Sequence, residues 1–293
     1  MSYQLELRHF TYFLAVAEEL HFRKAAERLF ISQPGLSRQI KQMEEIIGAE
    51  LFIRNKRNVS LTAAGVYLKK ELSYIFNHID FTVKQTSLID KGSEGEIRIG
   101  FLGSAMQTVI PNLLIKVNKE FPKIQFSLEE MSNYDQVNGI LSDELDVGFV
   151  RLARVPDGVS IKQVQTDTFS LVLPKNHFLN QENFTSVAQV SKEHFVLFSS
   201  DYSSIYYDKI MSICEDQGFT PIVSHKSVHA QTIFKLVESG LGVAIVPTSL
   251  QYGFDLKVKF LEIPRISQRA ELSVIWKEDN RNPALAKVKQ LLF

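Results

Sequence analysis

The sequence predicts a mixed α/β protein in which a helical N-terminal region precedes a larger region of alternating strands and helices. Three observations support this fold class. Residues 22–51 form two short amphipathic patterns separated by a break at 30–32. Residues 62–91 contain no Pro and only one Gly, in the first turn, which predicts a single long helix. From residue 95 onwards, short apolar runs alternate with helical patterns, as is typical of a parallel sheet with crossover helices.

Two closely packed helices are predicted for residues 22–51. Ala25 and Ala26 occupy the positions where the first helix must pass near the second, and larger side chains there would separate the two helices. The apolar positions that follow recur at the spacing of one buried helical face: Leu29, Ile31, Leu36 and Ile40. An upstream helix has the same pattern at Phe10, Phe13, Leu14 and Ala17. The three helices are expected to share one core.

The second helix of the pair is predicted to enter the major groove of DNA. Ser32 is a suitable N-cap, and Pro34 suits the first turn because its missing N–H would be unpaired there. The exposed front of this helix carries Gln33, Ser37, Arg38 and Lys41. Glutamine can pair with adenine, while arginine and lysine bind guanine edges or phosphates. A solvated helix in an ordinary helical bundle explains the same composition, and composition alone does not separate the two interpretations.

A basic β-hairpin is predicted to follow this helix. A strand over 51–53, a turn over 54–58 and a strand over 59–61 are expected, and Thr62 caps the next helix. Three basic residues lie near the hairpin tip: Arg54, Lys56 and Arg57. Such a wing beside a recognition helix can bind the phosphate backbone, although a charged hairpin tip is often only a solubilising edge.

The long helix carries an apolar stripe with alternating spacings of four and three residues: Leu68, Leu72, Ile75, Ile79 and Val83. This spacing is that of a two-stranded coiled coil and predicts a dimer. The alternative is that the stripe packs on the chain's own core. A twofold dimer would hold two recognition helices about one DNA turn, or a multiple of it, apart. Such a dimer would be expected to bind double-stranded DNA at a pseudo-palindromic operator.

Composition limits the classes of function. The 293 residues exceed a single typical core, and their 45% hydrophobic content is sufficient for two. The 33 basic and 33 acidic side chains give a net charge of zero, so any DNA-binding surface must be local. The single Cys214 cannot form an intramolecular disulfide, the N-terminus lacks the apolar core of a signal peptide, and no run approaches the ~18 apolar residues of a membrane span. We therefore expect a cytoplasmic protein that contacts no membrane.

The region after residue 95 is predicted to contain two sets of strands and helices. A flexible hinge is expected over 88–97, where Gly92, Ser93 and Gly95 lie between charged residues. The first set has strands over 97–101, 124–128 and 145–150, with a helix in each stretch between them. The second set has strands over 169–174, 194–198 and 242–247 and near 222, with helices over about 205–215 and 231–239. Strands over 256–263 and 271–276 and a helix over about 284–292 complete the chain.

Polar residues follow the carboxyl ends of several predicted strands, where ligands bind in open α/β sheets. In the first set these residues are Ser104, Asn133 and Arg151, and in the second set they are Ser199, Ser200, His229 and Gln231. Helix starts, hydroxyl groups and one arginine predict a site for a small carboxylate. For Ser104 and Asn133 the alternative is that they only cap helices. For Arg151 it is an ion pair with Asp143 or Glu144.

Other functions have less support in the sequence. His225 and His229 lack a neighbouring Cys or a second His pair at ligand spacing, so no metal or other cofactor is expected. Cys214 falls on the apolar run of a helix and is interpreted as a core thiol. An enzyme would need a nucleophile with a base, yet no G-x-S-x-G elbow or phosphate loop is present, so no catalytic residue is predicted. A solute-binding transport component would carry a signal peptide and no winged helix, which is the opposite of this sequence.

Four runs near the N-terminus, AAERL, SQPGLSRQI, GAELFIR and LTAAG, follow one another at fixed spacing. With them, residues 7–65 closely resemble the DNA-binding domain of LysR-type transcriptional regulators, except that Met43 stands where Leu is usual. The resemblance implies base and phosphate contacts by six residues: Gln33, Pro34, Ser37, Arg38, Lys41 and Arg54. It also implies that the long helix forms the dimer interface through Leu68, Leu72, Ile75 and Ile79.

For the rest of the chain, the resemblance implies a two-lobed effector domain with the type 2 periplasmic-binding-protein architecture. The run GFVR, residues 148–151, is similar to a pattern in the branch of the family that senses aromatic-catabolite carboxylates such as muconate. The implied protein is a homodimer or homotetramer in which an effector between the lobes shifts the balance of two assembly geometries. That shift would alter promoter bending or contact with RNA polymerase.

The predicted domains are a winged helix-turn-helix over 1–62, a linker and dimerisation helix with hinge over 63–94, and an effector-binding domain over 95–293. Lobe I of the last is expected at about 95–165 and 268–293, and lobe II at about 166–267.

Overall fold

A computed structural model describes residues 5–54, 58–90, 93–252 and 257–292. The chain divides into two compact units, Met1–Val83 and Lys84–Phe293. Two of the predicted basic residues at the hairpin tip, Lys56 and Arg57, lie outside the described residues, as does Gly92 of the predicted hinge.

The N-terminal unit contains three helices, a two-stranded hairpin and most of a long fourth helix. In chain order these are α1 (Leu7–Glu19), α2 (Phe22–Arg28), α3 (Gln33–Ile47), β1 (Phe52–Arg54), β2 (Val59–Leu61) and α4 (Ala63–Asp90). The predicted break between α2 and α3 is confirmed. Ser32 caps α3 as expected, because its Oγ accepts a hydrogen bond from the Gly35 N–H at 3.3 Å.

The first three helices share the predicted core. Ala25 and Ala26 are buried where α2 passes the other helices, and Leu36 and Ile40 of α3 are buried with them. Met43, which replaces the family's usual Leu, is also buried, so the thioether fills a core position and does not face solvent. The remaining predicted positions are half-buried around this core: Phe10, Leu14, Leu29 and Ile31.

Glu44 ties the hairpin to the end of α3. Its Oε1 accepts hydrogen bonds from the Leu51 N–H at 2.8 Å and the Phe52 N–H at 3.2 Å. Its Oε2 forms an ion pair with Arg54 at 2.7 Å. Strands β1 and β2 pair antiparallel with Phe52 opposite Leu61. One carboxylate therefore joins β1 to the end of α3.

Gly65 is needed where α4 begins beside the end of the hairpin. Thr62 caps this helix as predicted, with its Oγ1 accepting from the Gly65 N–H at 3.0 Å. A Cβ at Gly65 would lie 2.2 Å from the backbone oxygen of Leu51. Backbone atoms cannot yield as a flexible side chain can, so this approach requires glycine.

We expect Gly65→Ala to destabilise the N-terminal unit by about 3 kcal/mol, because the overpacking outweighs the ~1 kcal/mol that alanine gains over glycine inside a helix. Urea unfolding of the variant, followed by circular dichroism, measures this loss. Ala64→Ser, at the exposed neighbouring position, is the control and should change stability by less than about 0.5 kcal/mol. A Gly65→Ala variant as stable as the parent would contradict the close approach.

The apolar stripe of α4 is divided between two environments. Leu72 is only 1% exposed and lies in the N-terminal core, against which Leu68 also packs. Ile75 is 49% exposed, Val83 is 65% exposed, and Ile79 is half-buried. Leu68 and Leu72 therefore pack on their own unit's core, as in the alternative interpretation of the stripe. The dimer interface through Leu68, Leu72, Ile75 and Ile79 remains a prediction.

The C-terminal unit begins with a five-stranded sheet in the order β4-β3-β5-β12-β6. Its strands are β3 (Gly95–Phe101), β4 (Ile124–Glu130), β5 (Val147–Val150), β6 (Val159–Asp167) and β12 (Ala270–Lys277). Strand β3 runs parallel to β4 and β5, which confirms the predicted βαβαβ arrangement, while β12 is antiparallel to β5 and β6. The helices are α5 (Val109–Glu120), α6 (Asn133–Leu141) and α9 (Pro283–Leu292).

The remaining strands form two small sheets. These contain β7 (Phe169–Pro174), β8 (His194–Phe198), β9 (Ile222–Ser227), β10 (Ala244–Pro247) and β11 (Val258–Glu262), with helices α7 (Ser204–Asp216) and α8 (Ala230–Glu238). Their orders are β10-β7-β11 and β8-β9, and a bridge between Phe195 and Val243 joins them. All these elements agree with the sequence prediction. Strand β6 is not predicted, because it is a mostly polar, half-exposed strand at the edge of the first sheet.

The predicted hinge over 88–97 is shorter than expected. Helix α4 continues to Asp90 and β3 begins at Gly95. Ser93 is tied by its Oγ, which donates to the Lys123 carbonyl at 2.8 Å, and the Glu94 N–H donates to the same oxygen at 3.1 Å. Helix α4 and strand β3 therefore extend into the predicted hinge from its two ends, despite the Gly and Ser residues in its sequence.

Cys214 is fully buried in α7 beside Ile210 and Ile213, as predicted for a core thiol. Burial raises the pKa of this thiol to about 12, so the reactive thiolate is scarce near neutral pH.

We expect no reaction of native Cys214 with a thiol reagent such as dithionitrobenzoate at pH 8, and one reactive thiol per chain after unfolding in guanidinium. Rapid labelling of native protein, at the rate of free cysteine, would rule out this burial.

Candidate functional sites

The predicted DNA-facing residues share one side of α3. At about 100° per residue, Gln33, Ser37 and Lys41 lie in one row and Pro34 and Arg38 in the next, so the five span an arc of about 140°. Gln33, Pro34, Arg38 and Lys41 are exposed, and Ser37 is half-buried. The residues that enter the core, Leu36, Ile40 and Met43, lie on the other side of the helix.

Some of the polar side chains on this face of α3 interact with neighbouring side chains of the same helix. The Gln33 Nε2 donates to the Ser37 Oγ at 3.0 Å, which orients the amide along the helix face. Lys41 lies 3.8 Å from Glu45 in an exposed i,i+4 pair, a weak interaction that a phosphate can replace. Within the part of the chain that the structure describes, Arg38 forms no salt bridge. Its guanidinium is therefore available to a partner.

Arg54 has a different environment from the other predicted DNA contacts. In addition to its ion pair with Glu44, its guanidinium lies 4.8 Å from the centroid of the Phe22 ring. These contacts give Arg54 a structural role in the wing, which the sequence does not reveal. In the turn between α2 and α3, Phe30 is almost fully exposed and adopts the left-handed conformation at φ 55°, which the sequence did not indicate.

In the C-terminal unit, two of the predicted effector-binding residues, Arg151 and Ser104, line one cavity. Arg151 directly follows β5, and Ser104 lies in a short 3-10 helix that follows β3. Because β3 and β5 are parallel neighbours, their carboxyl ends bring the two residues together across 47 positions of sequence. The Arg151 Nη2 donates to the Ser104 Oγ at 3.1 Å.

Arg151 is a buried cation with unused hydrogen-bonding capacity. The residue is 8% exposed, and its Nη1 has no hydrogen-bond partner. Burial lowers the pKa of the guanidinium, and the Tyr206 ring lies 5.8 Å from it. The alternative of an ion pair with Asp143 is wrong, because that carboxylate pairs with Lys277 at 2.8 Å. The Asp167 carboxylate attracts this guanidinium, but no described carboxylate forms a salt bridge with it. A buried charge without a direct ion pair favours binding of an anion.

The Asn133 side chain fixes the position of the Arg151 backbone by hydrogen bonding. Its Oδ1 accepts a hydrogen bond from the Arg151 N–H at 3.0 Å, and its Nδ2 donates to the Ser203 Oγ at 3.1 Å. The alternative that Asn133 caps α6 is wrong, because Ser132 performs that role with its Oγ accepting from the Asp135 N–H. Ser104 likewise caps no helix, since it follows the first residue of its short helix.

Three further residues of the cavity were missed by sequence reasoning: Glu130, Tyr202 and Tyr206. The Tyr202 hydroxyl donates to the Glu130 Oε1 at 3.0 Å and accepts from the Gly103 N–H at 3.1 Å. Burial raises the pKa of both tyrosines, so both hydroxyls remain protonated. The sequence carries little signal for them, because Tyr202 lies in the turn before α7 and Tyr206 in its first turn, so helical spacing does not relate the two rings.

The cavity is small and mostly apolar. It has about 30 Å³ of free space, room for one or two water molecules. Its apolar wall is formed by Leu102, Phe198, Val228, Ala230, Pro247 and Leu250. A ligand larger than this therefore requires side chains that line the cavity to move.

The other predicted effector residues do not line this cavity. Ser199 forms a turn, with its carbonyl accepting from the Tyr202 and Ser203 N–H groups, and Ser200 lines a separate shallow pocket beside Asn133. His229 lies at the mouth of the cavity with its Nδ1 3.6 Å from the Glu130 Oε1, and Gln231 is exposed on α8.

No cluster of His, Cys, Asp and Glu suited to a metal occurs among the residues the structure describes. Nor does any described helix have the length and apolarity required to cross a membrane.

Two family models match the chain. Residues 7–66 match the bacterial regulatory helix-turn-helix protein, lysR family, and residues 90–292 match the LysR substrate binding domain. The regulator AlsR of Bacillus subtilis (strain 168) is 33% identical over 281 residues, covering 96% of this chain and 93% of AlsR. BenM of Acinetobacter baylyi is 30% identical over 249 residues, covering 84% of this chain and 82% of BenM.

Solved structures agree with these matches. The crystal structure of full-length CbnR complexed with its target DNA has a TM-score of 0.75 at 24% identity, covering 98% of this chain and 99% of CbnR. The effector binding domain of BenM with its effector benzoate has a TM-score of 0.59 at 19% identity, covering 67% of this chain and 90% of that domain.

The fold and the relatives define a DNA-binding transcriptional regulator with a ligand-binding domain, and not an enzyme. The chain belongs to the LysR family of transcriptional regulators.

Proposed function

We propose that this LysR-type regulator controls transcription in response to a small organic carboxylate that binds Arg151 and Ser104. One observation carries the proposal: the buried Arg151 lines the cavity, its Nη1 has no hydrogen-bond partner, and its Nη2 donates to the Ser104 hydroxyl at 3.1 Å. An arginine beside a hydroxyl matches the two oxygens of a carboxylate. BenM, whose domain has the same fold, binds the carboxylate benzoate.

Tyr202 supplies the proposed link between binding and regulation. Its hydroxyl joins the Gly103 backbone and the Glu130 carboxylate, and its ring fills the region that a ligand would enter. A ligand on Arg151 competes with these two hydrogen bonds. The bound and unbound states then differ in how the start of α7 meets the first sheet, which gives the effector different affinities for two conformations.

For the DNA side, we propose that Gln33, Pro34, Ser37, Arg38 and Lys41 contact a pseudo-palindromic operator, with Arg54 placing the wing near the phosphates. The continuous exposed face of α3 supports this assignment. We further propose a homodimer or homotetramer, for which the exposed Ile75 on α4 offers apolar surface. Regulation of transcription from DNA implies a cytoplasmic location and contact with RNA polymerase.

The test uses the purified full-length protein. A gel shift compares DNA upstream of its own coding region with random duplex, with and without a panel of small carboxylates. A thermal-shift series with the same panel measures binding, and a carboxylate at a hundredfold excess over its Kd should raise Tm by about 5–10 °C. Absence of any preference for the upstream DNA, together with no Tm change for any carboxylate, would refute the proposed function.

A further inference from the structure

The mouth of the effector cavity is acidic, whereas its floor is cationic. Glu130, at the end of β4, lines the cavity, and three more carboxylates line the groove that leads to it: Glu129, Asp135 and Asp201. Among the described residues of that groove, only His229 can carry a positive charge. Arg151 lies inside, with its unpartnered Nη1. The cavity therefore has ends of opposite charge.

Glu130 is held rigidly at the mouth. Its Oε1 accepts from the Tyr202 hydroxyl at 3.0 Å, and a Cβ on Gly103 would lie only 2.8 Å from that oxygen, so the carboxylate is pressed against the Gly103 backbone. No described residue donates a hydrogen bond to Oε2. This oxygen is available to a donor on a ligand.

We infer that the effector is an amino acid or a related amino-carboxylate, whose carboxylate binds Arg151 and whose ammonium group binds Glu130 across an apolar body. This inference rests on the proposed carboxylate site and adds the chemistry of the ligand's other end. A dicarboxylate of the muconate type would place its second carboxylate beside the Glu130 carboxylate, and the two negative charges would repel each other. The apolar wall between the two charges, including Phe198, Pro247 and Leu250, suits a hydrocarbon chain or ring.

The expected discrimination is moderate because Glu130 is partly exposed, with 35% of its side chain accessible. A charge pair of that kind contributes about tenfold in affinity, and the reversed pair with a second carboxylate loses a similar factor. An amino-carboxylate is therefore expected to bind about tenfold more tightly than the unsubstituted acid, and about a hundredfold more tightly than the dicarboxylate.

The experiment measures Kd by calorimetry for two matched series of ligands on the full-length protein. One series is pentanoate, 5-aminopentanoate, 2-aminopentanoate and glutarate, and the other is benzoate, 3-(aminomethyl)benzoate and isophthalate. The Glu130→Gln variant removes the charge and keeps the side-chain shape. The control is Glu129→Gln, which removes the same charge from the neighbouring residue outside the cavity. Unchanged Tm values without ligand verify that both variants fold.

In the wild-type protein, at least one amino-carboxylate should bind about tenfold more tightly than its parent acid. Glu130→Gln should abolish that preference and tighten binding of the dicarboxylate, whereas Glu129→Gln should preserve it. Tighter wild-type binding of glutarate or isophthalate, equal binding of all acids, or equal effects of the two variants would overturn the inference and leave the carboxylate site intact. If no acid in either series binds, the proposed carboxylate site fails and the inference fails with it.

Discussion

Replacing Arg151 with methionine is expected to abolish the effector response while operator binding stays within about twofold of the parent protein. Methionine has a similar length and no charge, so the side chain still fills its buried position, while the ligand loses its charged donors. Loss of one partner of a buried charge pair costs about 2–5 kcal/mol of binding, roughly 30-fold to several thousand-fold in Kd. A reporter assay and calorimetry with a binding carboxylate measure the two effects.

The variant should fold normally. Its backbone hydrogen bonds to Asn133 do not depend on the side chain, and methionine avoids the cost of burying a guanidinium whose Nη1 has no hydrogen-bond partner. Arg154→Met is a matched control, because Arg154 is an exposed arginine three residues further along the chain. A full reporter response in Arg151→Met, at parental Kd, would remove Arg151 from the site.

Replacing Arg38 with alanine is expected to weaken binding to all DNA sequences and to flatten its salt dependence. Each lost phosphate contact lowers the slope of log K against log salt by about 0.9, so a dimer with two recognition helices loses about 1.8. At 0.15 M salt this corresponds to roughly a 30-fold loss of affinity. Gel shifts at several salt concentrations measure both quantities.

Gln33→Ala should behave differently, because a base contact affects discrimination between sequences more than general affinity. The preference for adenine at one position of each half-site should fall by about 1–3 kcal/mol, with little change in salt slope. Lys119→Ala is the control for charge, since it removes one exposed cation from α5 in the other unit. Parental affinity, slope and base preference in both Arg38→Ala and Gln33→Ala would show that α3 does not dock as proposed.

Periodicity and caps predicted most of the fold. The helix break at residues 30–32, the cap at Thr62 and the alternation of strands and helices after residue 95 each depend on residues close together in the chain. The prediction failed where a neighbouring element changed the outcome. The hinge was overestimated because Lys123, distant in sequence, binds its backbone, and β6 was missed because pairing along β12 supports a polar strand.

The residues of the effector cavity likewise include some that local sequence predicts and some that depend on contacts between distant segments. Arg151 and Ser104 were predictable because each follows the carboxyl end of a strand, and parallel strands bring those ends together. Tyr202 was not, since its hydroxyl meets the backbone of Gly103 across 99 positions of sequence. In the sequence, Glu130 is one of several polar residues at strand ends. Its place at the mouth of the cavity is fixed by the hydrogen bond from the Tyr202 hydroxyl.

The sequence by itself determined the family, the exposed polar face of α3 and the order of elements, because those depend on local pattern and on which face of each helix is apolar. It did not determine what covers each apolar face. Only the tertiary structure assigned Leu72 to the chain's own core while leaving Ile75 exposed, and joined Arg54 to Glu44. The physical reason is that periodicity specifies a buried side, whereas the partner that buries it is selected by packing between distant segments.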